Sequence, residues 1–139
     1  MVAEALSDIT DKVVLSVALS VTESVGAGLE SVVNIKTPAT GKRIVVVEIL
    51  HMMLGVPGTT NTKAQFRSVD EEDSATNLTG IITGNPSATS GNPMFITAGY
   101  MPDGHFWTAK DESLKVAVIN GAGTTKNCVI RGVLQYYEE

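Results

Sequence analysis

The chain has 139 residues, 43% of them hydrophobic and 18% charged, with a mean hydropathy of +0.15. That is enough apolar material for one folded domain with a core rather than a disordered segment. Fifteen acidic residues against ten basic give a net charge of −5, which speaks against nucleic-acid binding, and no apolar run approaches the roughly 18 residues of a membrane helix. One cysteine, Cys128, excludes an intrachain disulfide, and with only two histidines in the chain structural zinc is poorly provided for.

Residues 1–11 form an N-terminal arm in this reading. Glu4 stands where a secretory leader would carry Lys or Arg, so export by that route is not expected. Ala3, Leu6 and Ile9 have crude helical spacing, consistent with a short helical turn or an extended arm pinned by its own domain or by a neighbour. The remainder, 12–139, is expected to be one β domain. Over 13–22 the odd positions Val13, Leu15, Val17, Leu19 and Val21 are apolar, whereas the even positions after Val14 are small or polar. Such alternation predicts a strand with one face on a core. Gly26-Ala27-Gly28 breaks the chain, 31–36 resumes a short alternating run, and Thr37-Pro38-Ala39-Thr40-Gly41 turns it.

The run 43–54 is apolar on both faces. Val45, Val47, Ile49 and Met53 share one, and Ile44, Val46, Leu50, Met52 and Leu54 the other. Its β-branched start favours a long strand over a helix. A sandwich offers only one core, so the second face needs another cover. Burying three such side chains is worth about 1.5 to 3 kcal/mol each at most, and a subunit interface through Ile44, Val46, Leu50, Met52 and Leu54 is the natural candidate. Further strands are expected at 63–69, 78–83, 94–98, 105–109, 114–120 and 127–137, with an acidic turn at Asp70-Glu71-Glu72-Asp73 and a Gly/Asn/Pro/Ser/Thr linker at 84–93. Eight to ten short strands and almost no helix predict an antiparallel β-sandwich or barrel.

Motifs for chemistry are sparse. Gly26-Ala27-Gly28 and Gly121-Ala122-Gly123 lack the third glycine and the helix of a dinucleotide loop and read as strand connections. No phosphate loop, His-Glu-x-x-His or Gly-x-Ser-x-Gly elbow occurs. His105 with Asp103 or Asp111 is a conceivable acid–base pair, but a histidine between Gly104 and Phe106 fits a strand edge better. His51 reads as a buried or interfacial hydrogen-bonding residue. The acidic run 70–73 lacks the spacing of a calcium loop. Tyr100, Phe106 and Trp107 are expected to anchor the core rather than to stack on a sugar. Asn77-Leu78-Thr79 matches a glycosylation acceptor, irrelevant if the chain is never secreted. The expectation is a protein without enzymatic activity, metal or cofactor.

The last third, Met94-Phe95-Ile96-Thr97-Ala98-Gly99, then Leu114-Lys115-Val116-Ala117-Val118-Ile119-Asn120-Gly121, then Val129-Ile130-Arg131-Gly132-Val133-Leu134-Gln135-Tyr136-Tyr137, resembles the closing strands of capsid decoration or cement proteins of tailed bacteriophages. The resemblance is carried by a Leu-x-Val-x-Val strand, a Gly-rich turn and a final Ile-x-Gly-x-Leu-x-Tyr strand, and spans about 45 residues. Trimeric tumour-necrosis-factor-like and fibre-head domains end similarly. It implies a jelly-roll-like β-sandwich that stabilises a capsid lattice, commonly as a homotrimer on the major capsid protein at the virion surface, after synthesis in the host cytoplasm. In that setting the arm, through Val2, Leu6 and Ile9, is the candidate capsid contact. The competing expectation is a receptor- or carbohydrate-binding head of a spike or tail fibre, with a small hydrolase as a third class.

Overall fold

A computed structural model describes residues 12–55, 62–70, 76–83 and 94–139. The arm assigned to 1–11, with Val2, Leu6 and Ile9, lies outside the described residues, as does the whole linker 84–93. Nine strands follow in order: β1 (Leu15–Val25), β2 (Glu30–Lys36), β3 (Ile44–Leu54), β4 (Thr62–Arg67), β5 (Ile82–Thr83), β6 (Met94–Ala98), β7 (Phe106–Trp107), β8 (Leu114–Asn120) and β9 (Lys126–Glu138). No helix occurs among the described residues.

The strands form two antiparallel sheets. One has the order β1-β9-β3-β6 with β7 also on β3, and the other the order β2-β8-β4-β5. With the two-residue β7 set aside, the chain crosses between the sheets at every step except β4 to β5. This is the jelly-roll arrangement of eight strands in two packed sheets. The first strand therefore pairs with the last, Leu15 opposite Tyr136 through Val25 opposite Lys126.

The inner faces meet in one core containing Leu19, Val21, Ile44, Val46, Phe66, Leu114, Val116, Val118, Ile130, Leu134 and Tyr136. Alternation explains most of it: Leu114, Val116 and Val118 point inward from β8, and Leu19, Val21 and Val25 from β1. The apolar series of β1 begins before its cover does, however, and Val13 and Leu15 are 65% and 41% exposed. Phe66 of β4 and Phe106 of β7 stack across the sandwich with ring centroids 5.0 Å apart. Asn120, fully buried, ties two turns together: its Nδ2 donates to the carbonyls of Val25 and Thr124, both at 2.8 Å, and its Oδ1 accepts from the Ala122 amide at 2.8 Å.

On the outer face of the second sheet, the Arg67 side chain is fully buried and bonds both oxygens of Glu30 on β2, at 2.7 and 2.8 Å. The register places Ala117 of β8 between them, opposite Val32 on one side and Gln65 on the other. A small residue there leaves a passage for the long arginine.

The doubly apolar run departs from simple alternation. Its register with β9 shifts between Val46 and Glu48 and again between Leu50 and Met53. Each shift inserts an unpaired residue and exchanges the faces beyond it. Two exchanges restore the original alternation, so Ile44, Val46, Met52 and Leu54, expected at a subunit interface, lie in the chain's own core with 0 to 2% exposure, and between the shifts Ile49 turns inward to join them. Leu50 alone of that set turns outward and is half-buried. On the outer side, Val45 and Val47 cluster with Tyr137. They are covered by the chain itself: Met101 donates its amide to the Val47 carbonyl at 2.9 Å, and Gly104 approaches so closely that a Cβ there would stand 2.4 Å from Val45 Cγ1. The face with Val45 and Val47 thus finds its cover within the chain, while most of the expected interface set lies in the core.

Candidate functional site

The largest sheet presents one open face. On β9 the inward residues Ile130, Leu134 and Tyr136 alternate with Arg131, Val133 and Gln135. Pairing carries these outward positions across the sheet. Val133 lies opposite Ala18 on β1 and Leu50 on β3, Arg131 opposite Ser20 and Met53, and Gln135 opposite Ser16 and Glu48. The result is a surface with an apolar row, Ala18, Val133 and Leu50, between two rows of mixed character. Arg131 lies across β1, donating to the Val21 carbonyl at 2.7 Å and the Thr22 hydroxyl at 2.8 Å. These bonds hold its guanidinium against the edge strand. A surface of half-buried aliphatic groups, small hydroxyls and a restrained arginine suits docking against another protein. Leu50 is the only residue of the sequence-derived interface set on it. Val133 and Ala18 escaped notice, although the period-two pattern of 127–137 puts Val133 beside Arg131 and Gln135.

A second feature lies on the β7 side, between the two sheets. Asn77, Leu78, His105, Phe106 and Trp107 line a shallow cleft of about 250 Å³. Both lips are fixed by main-chain bonds, Leu78 N to Phe66 O at 2.9 Å and His105 N to Val46 O at 2.8 Å. Phe106 is buried while Trp107 is 49% exposed, with the Arg43 guanidinium 5.6 Å from its ring centre. Tyr100 is also exposed, so of the three aromatics expected in the core only Phe106 is there.

The remaining candidates separate. His105 Nε2 donates to the Gly99 carbonyl at 2.6 Å, while Asp111 accepts from the Gly41 amide in a turn, so no His–Asp pair is assembled between them. His51 is exposed, at the second shift of β3, with φ of 49°. Asp70 bonds Lys115 at 2.7 Å and gives its carbonyl to Arg67. The other acidic residues of that run lie outside the described residues. Among the described residues, no group of three or more His, Cys, Asp or Glu side chains converges as a metal site would require. Gly26 to Gly28 joins β1 to β2, as expected of a strand connection.

Neither a protein-family model nor a curated protein matches the sequence. Among solved structures, the chain is similar to one in the cyanophage Pam1 capsid asymmetric unit, with a TM-score of 0.52 over 91% of this chain and 85% of that one. The two share a fold. At 16% identity, what is common is the β-sandwich itself, and the surfaces on it belong to each chain separately.

Proposed function

We propose that the protein is a structural component of a phage virion: a decoration or cement protein that binds the outside of a capsid lattice as a homotrimer, with the major capsid protein beneath it. The observation that carries this reading is the jelly roll spanning the whole described chain, together with its likeness over 91% of the chain to a chain of a phage capsid asymmetric unit. The open face around Leu50 and Val133 supports the assembly, because closed cyclic symmetry would bury one copy of it per subunit without leaving a growing end. In this reading the protein is not an enzyme and uses no cofactor. Many modest contacts on a repeating lattice add up through avidity, and the arm adds a second point of attachment to the body.

The test is addition of purified protein to undecorated capsids, with occupancy and particle melting temperature measured. Full-length protein should bind at lattice stoichiometry and raise the melting temperature. A form lacking Met1 to Ile9 should bind more weakly while its body stays folded. Equal binding by the truncated form removes the arm from attachment, and a full-length protein that never binds capsids overturns the reading.

A further inference from the structure

We propose that the folded body meets the capsid protein through the end of its larger sheet where the arm begins, with Trp107 as the central contact and Tyr100 and Met101 beside it. The inference rests on the capsid-attachment reading and adds to it a contact surface separate from the open face around Leu50 and Val133.

The exposed apolar groups are not scattered. Among the described residues eight large hydrophobic side chains are exposed, and six of them, Val13, Val14, Leu15, Tyr100, Met101 and Trp107, gather at one end of the sheet formed by β1, β9 and β3. Register shows the grouping. Leu15 stands opposite Tyr136, Tyr137 opposite Val45, and Val45 opposite Trp107, so the start of β1 and the whole of β7 flank the same end of β9 and β3. Met101 joins them through the bond of its amide to the Val47 carbonyl. The other two stand apart, Leu29 in the turn after the far end of β1 and Ile81 beside β5 of the second sheet. Single exposed aliphatic groups are ordinary, whereas a cluster rimmed by charges marks a surface that another protein covers.

The charges of that rim are held in place. Lys12 Nζ stands 4.7 Å from the centre of the Tyr137 ring and 3.8 Å from Glu139 Oε2. Arg43 stands 5.6 Å from the centre of the Trp107 ring, and its Nε donates to Glu139 Oε1 at 3.0 Å. One carboxylate thus holds two cations, each against an aromatic ring. Both cations keep a partner when water leaves, and the indole, 49% exposed on β7 opposite Val45, is presented from a paired strand, so docking orders little that was free. Tryptophan, tyrosine, methionine and arginine are also the side chains enriched in protein interfaces, and tryptophan leads among those that dominate their energy.

Lys12 identifies the partner. Clamped on Tyr137, it is the point at which residues 1–11 join the body. An arm that attaches to the lattice brings this end of the sheet against the lattice with it, so arm and patch face one partner. The open face is set off from that end, because Val133 lies four residues from Tyr137 along β9, about 13 Å. Subunit contact and capsid contact then occupy different parts of one sheet. The patch is apolar with balanced charge, Lys12 and Arg43 against Glu139 and Asp103, which fits a protein surface and not a polyanion such as nucleic acid.

Radical footprinting of the intact protein, free and on capsids, reads this surface without any substitution. Trp107, Tyr100 and Met101 should be oxidised readily in the free protein and several-fold more slowly on decorated capsids, while Leu29 and Ile81 react equally in both. In parallel, Trp107→Ala should weaken capsid binding about tenfold or more, and Trp107→Phe should retain part of it, both with unchanged oligomer mass and melting temperature. Unprotected Trp107 on a decorated capsid, or full binding by a folded Trp107→Ala, overturns this inference and leaves attachment standing. Protection already complete in the free protein, or an altered oligomer mass in Trp107→Ala, assigns the patch to contact between subunits and overturns it as well. Full-length protein that never binds capsids fails the attachment reading itself, and this inference with it.

Discussion

Gly132 on β9 lies so close to Met52 on β3 that a Cβ at Gly132 would stand 2.9 Å from the Met52 Cα. The backbone of Gly132 also has φ of 154°, a region that side chains rarely enter. The close approach accompanies the second register shift of β3, where Leu50 pairs with Val133 and Met53 with Arg131. The extra residue on β3 puts Leu50 and Met52, two positions apart, on opposite faces, Leu50 outward and Met52 in the core. One glycine therefore helps to decide which aliphatic side chain is available to a partner.

Replacing Gly132 by Ala should accordingly destabilise the domain by about 2 to 4 kcal/mol, combining steric conflict with backbone strain. A urea titration measures this. A loss below about 0.5 kcal/mol, the range of neutral surface changes, would mean that β3 moves aside freely.

Leu50→Glu and Met52→Glu should behave oppositely although they are two positions apart. At half-buried Leu50 the charge remains in water, so stability changes by less than about 1 kcal/mol while association of subunits or attachment to capsids falls. At Met52, which is 0% exposed, the carboxylate has no partner and should cost about 3 to 5 kcal/mol, leaving little folded protein. Light scattering and denaturant melts separate the two effects. An unchanged mass and capsid affinity in Leu50→Glu would remove the open face from assembly.

Asn120→Ala removes bonds from both turns at once. The carbonyls of Val25 and Thr124 and the amide of Ala122 all lose their side-chain partner. A loss of about 2 to 4 kcal/mol is expected if two of these groups stay buried and unpaired. Hydrogen exchange should quicken at Ala122 and also at Gly28, whose amide bonds the Asn120 carbonyl, and acceleration at Ala122 alone would show that the two turns are independent.

Burial raises the Cys128 thiol above its ordinary value of 9.0. The sign follows from linkage: above that pH the unfolded chain releases the thiol proton while the folded chain keeps it, so stability falls as pH rises toward the folded value. Well below 9.0 both states hold the proton and the contribution is flat. The stability difference between the natural protein and Cys128→Ala should therefore be constant near pH 7 and shrink toward about pH 10. A thiol reagent should react with Cys128 at the rate of global unfolding, because the side chain is fully buried.

Local alternation was sufficient to locate most of the strands, although of the run expected at 78–83 only Ile82–Thr83 is a strand. The apolar positions of 114–120 recur every second residue, and both ends of β8 fall where that pattern and its flanking turns put them; the same holds for 94–98. Strand identity is legible because it depends on each residue's immediate neighbours and on β-branched preference. Composition likewise anticipated the all-β class. What alternation could not assign is the outcome of pairing between distant segments. The placement of β1 beside β9, the inserted residues of β3 and the inward turn of Ile49 all depend on β9 and its Gly132, which lie at the other end of the chain. The face of 43–54 with Ile44, Val46, Leu50, Met52 and Leu54 looked like a subunit contact because both faces are apolar and nothing nearby in sequence covers the other one, with Val45 and Val47. The segment around Met101 and Gly104 does so, and Tyr137 joins them. Likewise the dipeptide Phe106-Trp107 gave no sign of which ring would be enclosed. Only the stacking on Phe66 fixes Phe106 inside, and a strand then sends its neighbour to the opposite side, leaving Trp107 half-exposed on the outer face, opposite Val45 and beside Arg43.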